Sequence, residues 1–84
     1  MLPRPPVVFM PLVDSPHIAM ALTEVYVARV YGAGKAQKQK PYLADDGGDH
    51  WVVRGSFHGP GLGGVFEIRL AKSDGRVLQL THGR

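Results

Sequence analysis

The sequence predicts an α+β fold, one helix packed on a curved four-stranded antiparallel β-meander, and three observations predict it. The last third of the chain, Gly63 to Arg84, has apolar alternation on two arms separated by Asp74-Gly75, the pattern of a β-hairpin. Upstream, His50-Trp51-Val52-Val53 is a β-branched and aromatic run that follows the turn-rich stretch Asp45 to Asp49. Helical apolar periodicity occurs once, ahead of all the strands, from Ile18 to Tyr31. Elements segregated in this way give α+β and not a parallel βαβ sheet.

The elements follow in order. Pro3, Pro5, Pro6, Pro11 and Pro16 crowd the start of the chain, and proline fixes φ and removes an amide donor. Residues 1–14 therefore read as an extended proline-rich arm and 15–84 as a single domain, with Phe9, Leu12 and Val13 able to lie along its body. Asp14-Ser15-Pro16 opens the helix, because Asp or Ser accepts amide hydrogen bonds at the N-cap and proline suits the first turn. Gly32 closes it as a left-handed cap. At about 100° per residue, Ile18, Ala21, Leu22, Val25 and Ala28 form the stripe expected to face the sheet. Met20, Val27 and Tyr31 then fall on the far side, where the arm or a second subunit could cover them, the latter giving a homodimer. Arg29, near the centre of the sheet-facing stripe, is expected to reach past the sheet edge or to pair with Glu67.

A lysine-bearing loop with Lys35, Lys38 and Lys40 leads to the meander. Tyr42 to Ala44 starts it, Asp45-Asp46-Gly47-Gly48-Asp49 turns it, and His50 to Phe57 returns, with Trp51, Val53 and Phe57 inward and Val52, Arg54 and Ser56 outward. Gly55 interrupts the inward row and predicts a bulge or a helix lying close to the backbone. His58 to Gly64 is a wide connection; Phe66, Ile68 and Leu70 then point inward opposite Glu67 and Arg69, and Leu78 and Leu80 complete the inward row.

Composition narrows the function. The 84 residues make one domain without cysteine, so core packing or a partner has to stabilise it. Val7 to Val13 resembles a signal-peptide core, but Pro11 interrupts it and no small-residue cleavage site follows, so the expected location is the cytoplasm. The longest apolar run is far shorter than a membrane span. Ten Lys and Arg against seven Asp and Glu give a net charge of +3, but the cations are scattered and lack interleaved aromatics, so neither a nucleic acid nor a membrane partner is expected.

Motifs for chemistry are absent or better explained by turns. Gly32-Ala33-Gly34-Lys35 lacks the upstream glycine and the following Ser or Thr of a phosphate loop, and follows a helix where that loop follows a strand. Asp45, Asp46 and Asp49 do not have calcium-loop spacing. His17, His50, His58 and His82 have no zinc-site spacing, so no metal and no cofactor are expected. His50 beside Asp49 sits on a hairpin tip with no apolar pocket to tune it, and no catalytic residue is expected. Trp51 reads as core.

The order Tyr31-Gly32, Gln39-Lys40-Pro41-Tyr42, Trp51-Val52-Val53 with Gly55, Gly63-Gly64 ahead of Ile68, Asp74-Gly75-Arg76-Val77-Leu78 and His82-Gly83 resembles immunity proteins of bacterial polymorphic toxin systems, over roughly Ile18 to Arg84. Those proteins have a nuclear-transport-factor-like, broadly cystatin-like, fold. The resemblance implies a non-enzymatic protein that binds a cognate toxin and protects the producing cell. It implies scaffold roles for Pro41 and Tyr42 at the start of the first strand, for Gly63 and Gly64 before the third, and for Asp74 and Gly75 in the last turn. Trp51 and Gly55 join these as structural positions. The candidate toxin-binding surface is Asp45, Asp46, Asp49 and His50 on the first turn, Arg54, Glu67 and Arg69 on the outer sheet face, and His58 on the wide connection. A cystatin-like or propeptide-like inhibitor or ligand-binding module is the competing expectation, since a helix wrapped by a four-stranded meander describes those as well.

Overall fold

The computed structural model describes residues 10–60 and 63–83. Among them are α1 (Pro16–Tyr31), α2 (Ala33–Lys38), β1 (Leu43–Asp46), β2 (His50–Arg54), β3 (Phe66–Ala71) and β4 (Val77–His82). The four strands form one antiparallel sheet in the order β1-β2-β3-β4, with α1 against one face. This is the α+β meander the sequence predicts, with one addition. The lysine-bearing segment is a short second helix rather than a loop; Gly32, at φ 98°, separates it from α1 and permits the change of direction.

Ser15 caps α1, its Oγ accepting from the Ile18 amide at 3.3 Å, and Pro16 occupies the first turn. The helix is turned roughly half a rotation from the orientation its periodicity suggests. Ala19, Thr23 and Val27 are fully buried; of the stripe assigned to the sheet, Leu22 and Ala28 pack against the core, while Ala21 is exposed and Ile18 and Val25 are 39% and 64% exposed. Met20 and Tyr31, assigned to the far side, pack against the core, so the strip reserved for a second subunit is turned inward. The reason is physical. Apolar residues occur all round α1, so periodicity distinguishes its faces poorly, and the small Ala19 and Thr23 let it approach the bulky Phe66, Ile68 and Leu70. Thr23 loses nothing by burial because its hydroxyl donates to the Ala19 carbonyl at 2.7 Å. Arg29 lies on the exposed side near the helix C-terminus and, among the described residues, makes no ion pair with Glu67.

The inner sheet face carries Trp51 and Val53 from β2, Phe66, Ile68 and Leu70 from β3, and Leu80 from β4. Val13 closes this core at one end: its amide donates to the Lys72 carbonyl at 3.0 Å and its carbonyl accepts from Trp51 Nε1 at 2.8 Å. Leu12 donates to Ser73 but its side chain is exposed, and Phe9 lies outside the described residues. Two inward assignments fail. β2 stops at Arg54, so Phe57 leaves the sheet and is 48% exposed; Leu78 is extruded because Arg69 pairs with Gln79 and Leu70 with Val77, leaving Leu78 as the extra residue of a bulge.

Gly55 sits where the sequence expected a close backbone approach. A β-carbon there would lie 2.4 Å from Gln39 Oε1 and 2.9 Å from the Phe66 ring, whereas one at Gly34, in α2, would meet nothing within 4 Å. Gly55→Ala should therefore destabilise the protein by about 1–3 kcal/mol through overpacking, and Gly34→Ala should stabilise it by about 0.4–1 kcal/mol through the unfolded chain. Urea midpoints of the two variants check the contrast, and equal midpoints would refute it.

Candidate functional site

Pairing register defines the sheet face turned away from α1. One cross-strand row is Leu43, Arg54, Glu67 and Thr81; the next is Asp45, Val52, Arg69 and Gln79. Arg54 and Asp45 join the rows diagonally, Nη2 to Oδ2 at 2.7 Å, with both side chains about half exposed. Arg69 has no ion-pair partner among the described residues. No helix among the described elements packs on this side, so the exposed Asp45, Arg54 and Arg69 and the half-buried Glu67 form one mixed-charge surface on a hydrogen-bonded frame.

The first turn does not act as one acidic cluster. Asp45 belongs to the outer face, whereas Asp46, one residue on, sits at the rim of the inner face opposite Trp51. Asp46 Oδ1 accepts from Lys72 Nζ at 2.6 Å and from the Gly48 amide at 2.9 Å, and Lys72 lies 4.8 Å from the centroid of the Trp51 ring. Gly48, at φ 96°, makes the turn. Asp49 pairs with His50 Nδ1 at 2.7 Å, and the His50 ring lies over Gly47. Bonding to Lys72 lowers the Asp46 carboxyl below its ordinary value, and the His50 ring does the same for Asp49. Among the described residues, no group of three or more His, Cys, Asp or Glu could hold a metal ion, and no helix is long and apolar enough to cross a membrane.

The opposite end of the sheet is organised by Gln39, a residue that carries no functional expectation in the sequence beyond its place in Gln39-Lys40-Pro41-Tyr42. Its side chain is buried; Oε1 accepts from the Phe66 amide at 2.9 Å and Nε2 donates to His82 Nε2 at 2.9 Å. Nδ1 of His82 then carries the hydrogen and donates it to the Gly83 carbonyl at 2.7 Å, the one tautomer that satisfies both bonds. The Gln39 carbonyl also accepts from the Ser56 amide at 2.7 Å. Tyr42 stands beside this group, its hydroxyl donating to the Ala36 carbonyl at 2.6 Å and its ring edge-on to Phe66 at 5.0 Å between centroids. Burial, with a smaller contribution from the Glu24 carboxylate, raises its phenol above the ordinary value. His58 donates through Nε2 to the Lys40 carbonyl, far from the first turn, so the sequence-derived candidates divide between the outer face and two opposite ends. Gly63 lies against the Phe57 ring with no room for a side chain, and Gly75, at φ 77°, lies under Leu22 and Val13 with its carbonyl accepting from the Tyr26 hydroxyl at 2.9 Å.

This architecture can be set beside known proteins. Residues 18–84 match the family described as NTF2 fold immunity protein. The chain belongs to that family. It is 42% identical over 74 residues to the uncharacterized protein YhhH of Escherichia coli strain K12, an alignment covering 87% of this chain and 58% of the relative. It is 40% identical over 68 residues to the uncharacterized protein YbbC of the same strain, covering 80% of this chain and 56% of the relative. The chain thus spans little more than half the length of these curated relatives. No solved structure matches it significantly. In this NTF2 fold immunity protein the matched region begins two residues into α1 and contains the rest of that helix, α2 and the four-stranded sheet.

Glu24 of α1 ties the two helices and the start of β1 together, pairing with Lys40 Nζ at 2.8 Å and accepting from Gln37 Nε2 at 2.9 Å. The Lys40 bond lowers its carboxyl below the ordinary value, as bonding does for Asp46 and Asp49. For carboxyls depressed by folding, the stabilisation is full above the unfolded value, about 4, and is lost as pH falls through the lower folded value. Stability should therefore decline as the solution is acidified below about pH 5. Glu24→Gln should flatten that decline while lowering stability at neutral pH, as read from urea midpoints across the acid range; parallel curves for the two proteins would refute the Glu24 contribution.

Proposed function

We propose that this protein binds and neutralises a cognate bacterial toxin, protecting the cell that makes it, and that the uncovered face of its sheet is the main contact surface. The observation that carries the reading is the immunity-family match over residues 18–84, a region that contains the entire sheet. Physical considerations support it. Neutralisation by occlusion requires a stable surface of about 800 Å² per partner and no reaction. A hydrogen-bonded sheet supplies such a surface with little ordering cost on binding. Charges of both signs, Asp45 and Glu67 with Arg54 and Arg69, fix orientation and select the partner.

In this reading the protein is not an enzyme, needs no cofactor and acts in the cytoplasm. Asp46, Asp49 and His50 at one end of the sheet and His58 at the other flank the main surface and set the limits of the footprint. Pro41, Tyr42, Trp51, Gly55, Gly63, Gly64, Asp74 and Gly75 hold the frame and touch no partner.

The test is growth of a sensitive bacterium producing the toxin domain encoded beside this gene, with and without this protein. Rescue is expected, together with a stable complex of the purified proteins. Removing two outer-face charges, Arg54→Gln with Arg69→Gln, should weaken toxin binding at least about tenfold and reduce rescue while the fold is kept, because both side chains are exposed and the change sets no like charges against Asp45 and Glu67. Unchanged affinity and full rescue by the double variant would place the interface elsewhere.

A further inference from the structure

An open cleft of about 440 Å³ lies between α2 and the segment that follows β2, closed at the back by the end of β4. Lys35, Lys38, His58 and His82 contribute its ionisable side chains, Phe57 an aromatic wall and Gln39 part of its floor, and among the described residues no carboxylate side chain lines it. Two other lysines near the two ends of the sheet are neutralised internally, Lys40 by Glu24 and Lys72 by Asp46. Lys35 and Lys38 have no carboxylate within ion-pair distance among the described residues.

The polar groups at the back of the cleft are already satisfied. Both ends of the Gln39 amide are engaged, and Ser56 Oγ donates to the Pro41 carbonyl at 2.6 Å. A ligand polar group placed there would find these groups already engaged, whereas an apolar one would meet Phe57 and the lysine stems. At the mouth the balance reverses, because the two ammonium groups attract negative charge. The size suits one or two side chains rather than a whole folded element. The cleft wall is also continuous in sequence with the outer face, Ser56 following Arg54 by two residues.

We propose that this cleft receives an acidic segment of the protein partner, with an apolar side chain seated against Phe57 and an adjacent Asp or Glu held by Lys35 and Lys38. The identity of that partner as the toxin rests on the immunity reading; the chemistry of the cleft does not.

The experiment separates the two. The wild-type protein, labelled with nitrogen-15, is titrated with acetyl-Leu-Glu-Asp-Phe-amide and with its neutral counterpart acetyl-Leu-Gln-Asn-Phe-amide. The acidic peptide should shift the amides of Lys35, Lys38, Phe57, His58 and His82, bind at least about tenfold more tightly than the neutral one, and weaken as salt rises from about 50 to about 500 mM. Equal shifts from both peptides, or no salt dependence, overturn the proposal, and this arm needs no variant that could misfold. In the second arm, Lys35→Glu with Lys38→Glu should reduce affinity for the toxin at least tenfold. Toxin binding by the double variant at wild-type strength overturns the cleft as a toxin contact and leaves immunity intact. Failure of the wild type to bind the toxin, with the acidic peptide still seated in the cleft, removes the immunity reading and supports a site for an acidic segment of a different protein partner.

Discussion

A single buried amide, the side chain of Gln39, joins α2 to β3 and β4, while its backbone carbonyl holds the residue that leaves β2. Three parts of the structure depend on it. Phe66, the largest fully buried side chain, begins β3 with an amide that has no strand partner in this direction and is satisfied by Gln39 instead. Gly55 must lack a side chain because Gln39 occupies the space a β-carbon would need. His82 is held in one tautomer and stacks edge-on to Tyr31 at 5.1 Å between centroids, which ties the last strand to the end of α1. A buried polar group is costly unless satisfied, so a residue that meets all its bonds only in one arrangement of four elements also specifies that arrangement.

At the other end the corresponding anchor is Trp51, whose indole nitrogen donates to Val13 and whose ring lies beneath Lys72. Between the two anchors the inner face is filled by Val53, Ile68 and Leu70 against Ala19, Thr23 and Val27. With that face sealed, the outer sheet rows, the cleft beside Gln39 and the outward stripe of α1 are open surfaces among the described residues. Among the described residues α1 packs on the inner face of the sheet, and no helix covers the outer one. The relatives are longer than the aligned region, so the surfaces described here are those of the shared part.

The strands were legible because period-two alternation and turn chemistry agree in this chain: Asp74-Gly75 turns where expected, and Phe66, Ile68 and Leu70 alternate without interruption, although Asp45 and Asp46, read as turn residues, continue β1 and leave the first turn to Gly47, Gly48 and Asp49. The close approach at Gly55 was legible as an interrupted row. The rotation of α1 was not, because its outward side is as apolar as its buried side and the deciding residue, Thr23, hides its hydroxyl on its own helix. α2 was hidden by Gly32 and Gly34, which read as loop residues, although Gly34 faces open space and is compatible with a helix turn. The outer-face candidates followed from alternation, but the separation of Asp45 from Asp46 depends on register at a strand end, and the cleft on the placement of α2. Gln39 could have been found from one signal: a polar residue beside Pro41-Tyr42 in a short connection that brings two helices onto a sheet.

The central claim is that the partner meets the sheet face turned away from α1. Cross-saturation NMR on the complex, with deuterated, nitrogen-15-labelled immunity protein and protonated toxin domain, tests it most directly. The largest signal losses are expected at Asp45, Val52, Arg54, Glu67, Arg69 and Gln79, continuing to Lys35 and Lys38 at the cleft. Losses confined to the outward stripe of α1, at Ile18, Ala21 and Val25, with the sheet face untouched, would contradict it.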